Sequence, residues 1–164
     1  MEEKGKYSVL FEPVRIGSAT IRNRIIMGAM GNDTCDEQQM AGPQACCYYA
    51  ERAKGGVGLI VNETTRVADT PDAVMGPHQT SAASDRVIPS LQKIAEAVHA
   101  YDGKIFMQLH HPGRQCYDSE RLGLTPSGVR SPVIGAPCRA MTVDEIHGLR
   151  EKFIDAAERC KRRE

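Results

Sequence analysis

The chain reads as an α/β protein with a parallel sheet, laid out as part of a (β/α)-barrel, and three features of the sequence point there. Apolar strand-like runs alternate with amphipathic helical patterns, strand then helix, three times over. Each run ends in a polar turn: GAMGN after Ile25-Ile26-Met27, NETTR after 57–61, and QLHHPGR after Ile105-Phe106-Met107. No G-x-G-x-x-G follows any of the runs. That order fits both a doubly wound sheet and a barrel, but the missing glycine fingerprint removes the main support for the first. Polar residues on successive strand ends suit a barrel, whose site draws on many strands.

The elements follow in order. The segments FEPVRI and ATIRNR flank Gly17-Ser18 and predict a β-hairpin. Ile25-Ile26-Met27 is a short strand stopped by Gly28, with a polar loop to Ala41. Gly42-Pro43 opens a helix and Gly55-Gly56 ends it, since proline fits a first helical turn and glycine a helix stop. Val57 to Val61 is the next buried strand, with NETTR beyond its carboxyl end. A loop rich in Pro, Gly and Ser spans Ala68 to about Ala83. From Ser84, the positions Ile88, Leu91, Ile94, Ala95 and Val98 recur at helical spacing until Asp102-Gly103.

The strand of KIFMQLHHPGR, 104–114, is apolar along its body and polar at its end, and Pro112-Gly113 stops it. Gln108 stands out there, because a side-chain amide donates and accepts and can read a heterocycle edge with C=O beside N–H. Residues 111–140 read as a long irregular loop. Thr142 to Glu145 is a capping box, and Ile146, Leu149, Phe153, Ala156, Ala157 and Cys160 form one apolar stripe behind it.

Composition narrows the function. Lys and Arg total 21 and Asp and Glu total 21, with no long block of either sign, so no footprint for nucleic acid or membrane emerges. KRRE at 161–164 reads as a solvated helix end. No apolar run reaches the roughly 20 residues of a membrane span, and MEEKGKYSVLFEP lacks a signal peptide's pattern. A cytoplasmic, soluble protein is the expectation. The cysteines (Cys35, Cys46, Cys47, Cys116, Cys138, Cys160) include no C-x-x-C, so free thiols are expected rather than disulfides or zinc. Adjacent His110 and His111 point to opposite faces of a regular strand and form no shared ligand pair.

Taken together, LFEPVRIGSATIRNRIIMGAM, YYAERAKGGVGLIVNETTRV, KIFMQLHHPGR and MTVDEIHGLREKFIDAAERC resemble the old yellow enzyme class of flavin oxidoreductases. Within it the likeness is to the NADH:flavin oxidoreductase and 2,4-dienoyl-CoA reductase branch, and it covers nearly the whole chain. The resemblance implies a TIM barrel with FMN at the carboxyl ends of its strands and NADH or NADPH as electron donor. It also implies a small-molecule substrate with an activated C=C bond. It assigns Gly28, Ala29 and Met30 to the turn against the flavin, Thr64 to its border, and Gln108 to its pyrimidine edge. His111, the motif histidine, is expected to anchor the loop, and Arg114 to meet an anion or fix the loop by an ion pair.

A closed barrel takes about 250 residues, and this chain has 164. The family's paired His/His or His/Asn, its proton-donating tyrosine, its phosphate cradle and its iron–sulfur cysteine cluster have no counterpart here. The expectation is residues 1–164 as the amino-terminal portion of one FMN-binding barrel, stopping before the fourth strand and incomplete for catalysis. Its partner would be the missing barrel half or a second copy. A non-catalytic remnant that pairs through open sheet edges is the alternative, and a zinc domain the least favoured reading.

Overall fold

The computed structural model describes residues 5–116 and 122–161. The last three residues of KRRE, 162–164, and the first four of the chain lie outside the described residues. Strands β1 (Val14–Ile16) and β2 (Ala19–Ile21) form the antiparallel hairpin, with Val14 opposite Ile21 and Ile16 opposite Ala19. Gly17, at φ 59°, takes the first place of the two-residue turn, where a residue with a Cβ would be strained.

The polar residues after the hairpin tie it to the first crossover. Helix α1 (Pro43–Lys54) starts behind Gly42, with Pro43 in its first turn, and stops at Gly55 and at Gly56, whose φ is 105°. Its last carbonyls lack helical partners. Arg22 Nη2 donates to the carbonyls of Ala53 at 2.6 Å and Val57 at 3.2 Å, and Asn23 Nδ2 donates to Gly56 O at 2.8 Å. Asn23 Oδ1 in turn accepts from Ile25 N–H at 3.1 Å, which aims the chain into the next strand.

Strands β3 (Ile26–Met27), β4 (Leu59–Arg66) and β5 (Lys104–His110) make a parallel sheet in that order. Helix α1 crosses from β3 to β4, and α2 (Ile88–His99) from β4 to β5. Both pack on the same side: Tyr49 and Ala53 of α1 meet Ile94 and Val98 of α2 over Met27, Ile60 and Ile105. Helix α3 (Val143–Lys161) sends Leu149, Phe153, Ala156 and Cys160 against Leu109 and Val67. Ile105 and Leu109 share a face of β5 by alternation, so all three helices cover one side of the sheet. A doubly wound sheet covers both sides; one-sided cover is how a barrel wall is built. The opposite side is open, with Ile26 52% and Phe106 38% exposed.

Two segments differ from the sequence reading. NETTR is not a turn beyond a strand but the second half of β4, with Asn62, Glu63, Thr65 and Arg66 all buried. Its polarity hid a strand in which Glu63 and Thr65 find hydrogen-bond partners around them. The stretch 111–140, read as irregular, holds two short strands, β6 (Gly123–Thr125) and β7 (Cys138–Ala140), paired in parallel. Three-residue strands flanked by Pro and Gly leave no periodicity to detect. At α3 the capping box forms as the sequence implies: Thr142 Oγ1 accepts from Glu145 N–H at 3.2 Å, and Glu145 Oε2 accepts from Thr142 N–H at 2.8 Å. Ile146 and Ala157 of the stripe are exposed, so the packed face is narrower than the pattern suggested.

A Cβ at Gly58 would lie 2.4 Å from Asn23 Oδ1 and 3.1 Å from Asn23 O. Gly58→Ala is therefore expected to cost about 1–3 kcal/mol, read as a lowered urea midpoint in circular dichroism. An unchanged midpoint would show the hairpin clamp to be slack.

Candidate functional site

Because the sheet is parallel, the carboxyl ends of β3, β4 and β5 lie along one rim. Up to Val61, β4 pairs regularly with β5, Val61 opposite Phe106; the pairing then shifts so that Thr64 stands opposite Gln108. Three residues of β4 span what two of β5 span, which makes Asn62-Glu63 a β-bulge. The bulge decides the side chains. Without it, strict alternation would put Glu63 in the row of Val61; with it, Thr64 takes that place beside Gln108 on the open face.

Glu63 is thereby turned away from the open face and is 2% exposed. Its Oε2 accepts from the backbone N–H of Asn32 at 2.9 Å and Asp33 at 3.3 Å. Its Oε1 accepts from Thr80 Oγ1 at 2.7 Å and Thr80 N–H at 3.3 Å. Four donors on two oxygens is the coordination that lets a buried carboxylate be tolerated. The Tyr49 hydroxyl completes the cluster by accepting from Glu63 N–H at 3.2 Å and Asn32 Nδ2 at 2.8 Å. Burial pushes this phenol up to about 12, so it stays protonated at neutral pH. One carboxylate thus ties the loop after β3 and the loop after β4 to the bulge.

The sequence-derived residues fall as follows. Gly28, Ala29 and Met30 lead out of β3 toward the Glu63-bound segment, with Gly28 and Met30 exposed and open space where a Gly28 Cβ would be. Thr64 is half-buried; Gln79, itself buried, donates from Nε2 to both Thr64 O at 2.9 Å and Thr64 Oγ1 at 3.2 Å. The Thr64 hydroxyl accepts there and keeps its proton for another acceptor. Gln108 is exposed and makes no hydrogen bond to a described residue, so its amide is spent neither on backbone nor on a neighbour. Thr64 and Gln108 are the pair the fold brings together; the 28–30 turn is held at the same rim through Asn32 and Asp33.

His111 anchors the loop after β5. Its Nδ1 accepts from Gly113 N–H at 3.2 Å, which leaves Nε2–H to donate to Asp72 Oδ2 at 3.0 Å. Burial alone would raise the Asp72 carboxyl, but hydrogen bonds from His111, Thr70 and its own backbone outweigh it and hold it below the ordinary range. His110 stands opposite Arg66 at the last rung of β4 and β5, and burial lowers its pKa, with His111's charge adding to the effect. Arg114 is exposed. Burial pushes the Cys35 and Cys160 thiols up to about 11, so neither is a ready thiolate. Among the described residues no three of His, Cys, Asp or Glu gather to hold a metal ion. No helix among them is long and apolar enough to cross a membrane.

Sequence reasoning missed Glu63, Gln79 and Thr80. The signal for Glu63 was present: Thr-Thr-Arg-Val after it continues a β-branched run, so the acid sat inside a strand.

The model of the NADH:flavin oxidoreductase / NADH oxidase family matches residues 9–163. The chain belongs to this family. It is 40% identical to NADH oxidase of Thermoanaerobacter brockii over 93% of this chain and 24% of that protein. It is 32% identical to NADPH dehydrogenase of Halalkalibacterium halodurans over 93% of this chain and 44% of that protein. Among solved structures, an old yellow enzyme homologue from Zymomonas mobilis superposes with TM-score 0.82 and 28% identity, over 92% of this chain and 44% of that one. Morphinone reductase gives TM-score 0.80 and 27% identity, over 93% and 44%. The chain spans a quarter to under half the length of these relatives, and its strands form part of the TIM barrel they share without closing it.

The family's flavin and nicotinamide chemistry can be tested against these residues. An unspent amide beside a hydroxyl with a free proton, on an open face with no side chain over Gly28, suits the donor–acceptor edge of a flavin ring. Glu63→Gln would set an N–H₂ against N–H and O–H donors at one of its oxygens. It should cost about 1–3 kcal/mol and speed amide hydrogen exchange at Asn32 and Asp33; unchanged exchange there would remove Glu63 as the tie. For Asp72, a depressed folded pKa means stability that is present above the ordinary carboxylate value of about 3.9 and lost as pH falls through the folded value. Asp72→Asn should therefore be less stable than the parent at pH 7 and converge with it in acid. A constant gap across pH would contradict the bond.

Proposed function

We propose that this chain is the amino-terminal, ring-binding portion of an FMN-dependent oxidoreductase that reduces activated C=C bonds using NADH or NADPH. The observation that carries the reading is the row formed by Thr64 and Gln108 on the open face. FMN, when bound, supplies the hydride-transfer chemistry. The chain's own part is to hold and orient: Gln108 pairs its amide with the C=O and N–H groups of the pyrimidine edge, and Thr64 donates its spare proton to the ring. The 28–30 turn lies against the ring through its backbone. Cinnamate reductase of Clostridium sporogenes, 31% identical, and morphinone reductase carry names that fit such reductions. N,N-dimethylglycine/sarcosine dehydrogenase, 35% identical, shows how widely substrates range on related chains.

The same reading makes the chain incomplete alone. Among the described residues no acid on the open face is in a position to protonate a reduced carbon; Tyr49, the buried phenol, lies on the helix side. Three strands cannot close a cylinder, and among the described residues β5 keeps an unpaired edge next to exposed Phe106. The occupant of that edge is the remainder of the barrel, which also brings the phosphate cradle and the proton donor.

The test is an FMN titration read by flavin fluorescence, with and without a chain carrying the remaining strands. The mixture should bind FMN with a shifted visible spectrum and oxidise NAD(P)H. Gln108→Leu should weaken that binding about tenfold, the worth of one or two net hydrogen bonds. A mixture that binds no flavin, or binds it equally well with Leu at 108, overturns the proposal.

A further inference from the structure

Beyond Thr64 the rim carries a concentration of cationic groups that the flavin reading does not use. Arg66 ends β4 two residues after Thr64, about 6.6 Å further along the strand and on the same side of it. Its side chain is 3% exposed, yet it borders an open depression of about 450 Å³ together with Gln39, Asp69, Val74 and Arg86.

The hydrogen-bond ledger of Arg66 is unbalanced. Both of its side-chain bonds leave from Nη2, to Gln39 Oε1 and to Asp69 Oδ1, the latter at 2.8 Å. Nε is shut away from solvent with no partner, and Nη1 bonds to no described residue. Of the five guanidinium N–H donors, three have no partner among the described residues, and the one on Nε is buried where an unspent donor is costly. Gln39, bound through its side-chain oxygen, makes no donation from its side-chain N–H₂ to a described residue either. Charge is unbalanced in the same direction. Arg86 is exposed and unpaired among the described residues, and it stands close enough for its charge to work against that of Arg66. Asp69 offsets one of the two positive charges and is itself 42% exposed. The depression is left with one net positive charge and several idle donors.

We propose that Arg66 and Arg86 form a subsite for one oxyanion group, a carboxylate or a phosphate, of an acidic small molecule held beside the Thr64–Gln108 row. Planar guanidinium donors match either group geometrically. The inference rests on the proposed flavin function only for where the rest of the ligand lies, because the anion's own contacts are complete without flavin. A carboxylate would come from an unsaturated acid substrate, and a phosphate from the nicotinamide dinucleotide.

The experiment is a flavin-free titration of the ¹⁵N-labelled chain, followed by backbone and Arg side-chain resonances. The probes are crotonate, inorganic phosphate and neutral crotonamide. Crotonate or phosphate should shift resonances at residues 39, 66, 69 and 86 saturably, the tighter of the two naming the source, while crotonamide should not. Arg86→Gln, a change at an exposed position, should weaken the anion at least fivefold. Asp69→Asn keeps the acceptor oxygen and removes the competing charge, so it should tighten the anion severalfold, a direction that damage to the fold does not produce. The proposal is overturned by absence of saturable shifts with both anions, by equal shifts with crotonamide, or by Asp69→Asn binding no tighter than the parent. A chain that binds the anion but no flavin would fail the function proposed above and keep this one.

Discussion

The carboxylate of Glu63 fixes the working rim of this sheet. It is buried at the one irregularity in β4 and bonded to three residues from two separate loops. A buried charge left unpaired would be expensive, so these bonds come as a set: bulge, Asn32-Asp33 segment and Thr80 hold together or not at all. The consequence for function lies in the register. The extra residue at Asn62-Glu63 moves Thr64 into the row of Gln108, and it sends the acid to the loops, where donors wait for it. An uninterrupted β4 would have put a carboxylate beside the amide and repelled an electron-rich ring.

The rest of the fold supports that rim from below and behind. Arg22 and Asn23 bond the carbonyls of Ala53, Val57 and Gly56 around the end of α1 and so tie the hairpin to the start of β4. Helices α1 and α2 lock over Ile60 and Ile105, so the sheet is rigid on one side and available on the other. His111 and Asp72 pin the loop beyond β5 without placing a proton-transfer group on the open face. The helix side is the packed one, while the open side and the rim carry the side chains left without partners, Gln108 among them. Ile26 and Phe106 are exposed on the open side, the face that carries no helix.

Much of this was legible in the sequence, and the exceptions have physical causes. The hairpin, the Gly42-Pro43 start and Gly55-Gly56 stop of α1 and the α3 capping box are all local signals, and local signals survive in a linear reading. The one-sided helix cover follows from the strand–helix alternation together with the polar strand ends. Glu63 was not read because its partners lie about 17 and 30 residues away in sequence, and a polar run after an apolar one resembles a turn. Arg22 and Asn23 were absorbed into the hairpin for the same reason, their acceptors being 31 to 35 residues distant. Ile146 and Ala157 have the right spacing but no facing element, so periodicity overstated the packed stripe of α3. The idle donors of Arg66 have no sequence signature at all, since only the burial of the strand end shows them to be unspent.

The register of β4 against β5 is the point on which these conclusions turn, and side-chain nuclear Overhauser effects in the isotope-labelled chain measure it directly. The Thr64 methyl should give a cross-peak to the Gln108 side chain, while the Glu63 side chain should give its cross-peaks to Thr80 and Asn32 and none to Gln108. A Glu63–Gln108 cross-peak without one from Thr64 would mean that the bulge is absent, and the site built on it would be wrong.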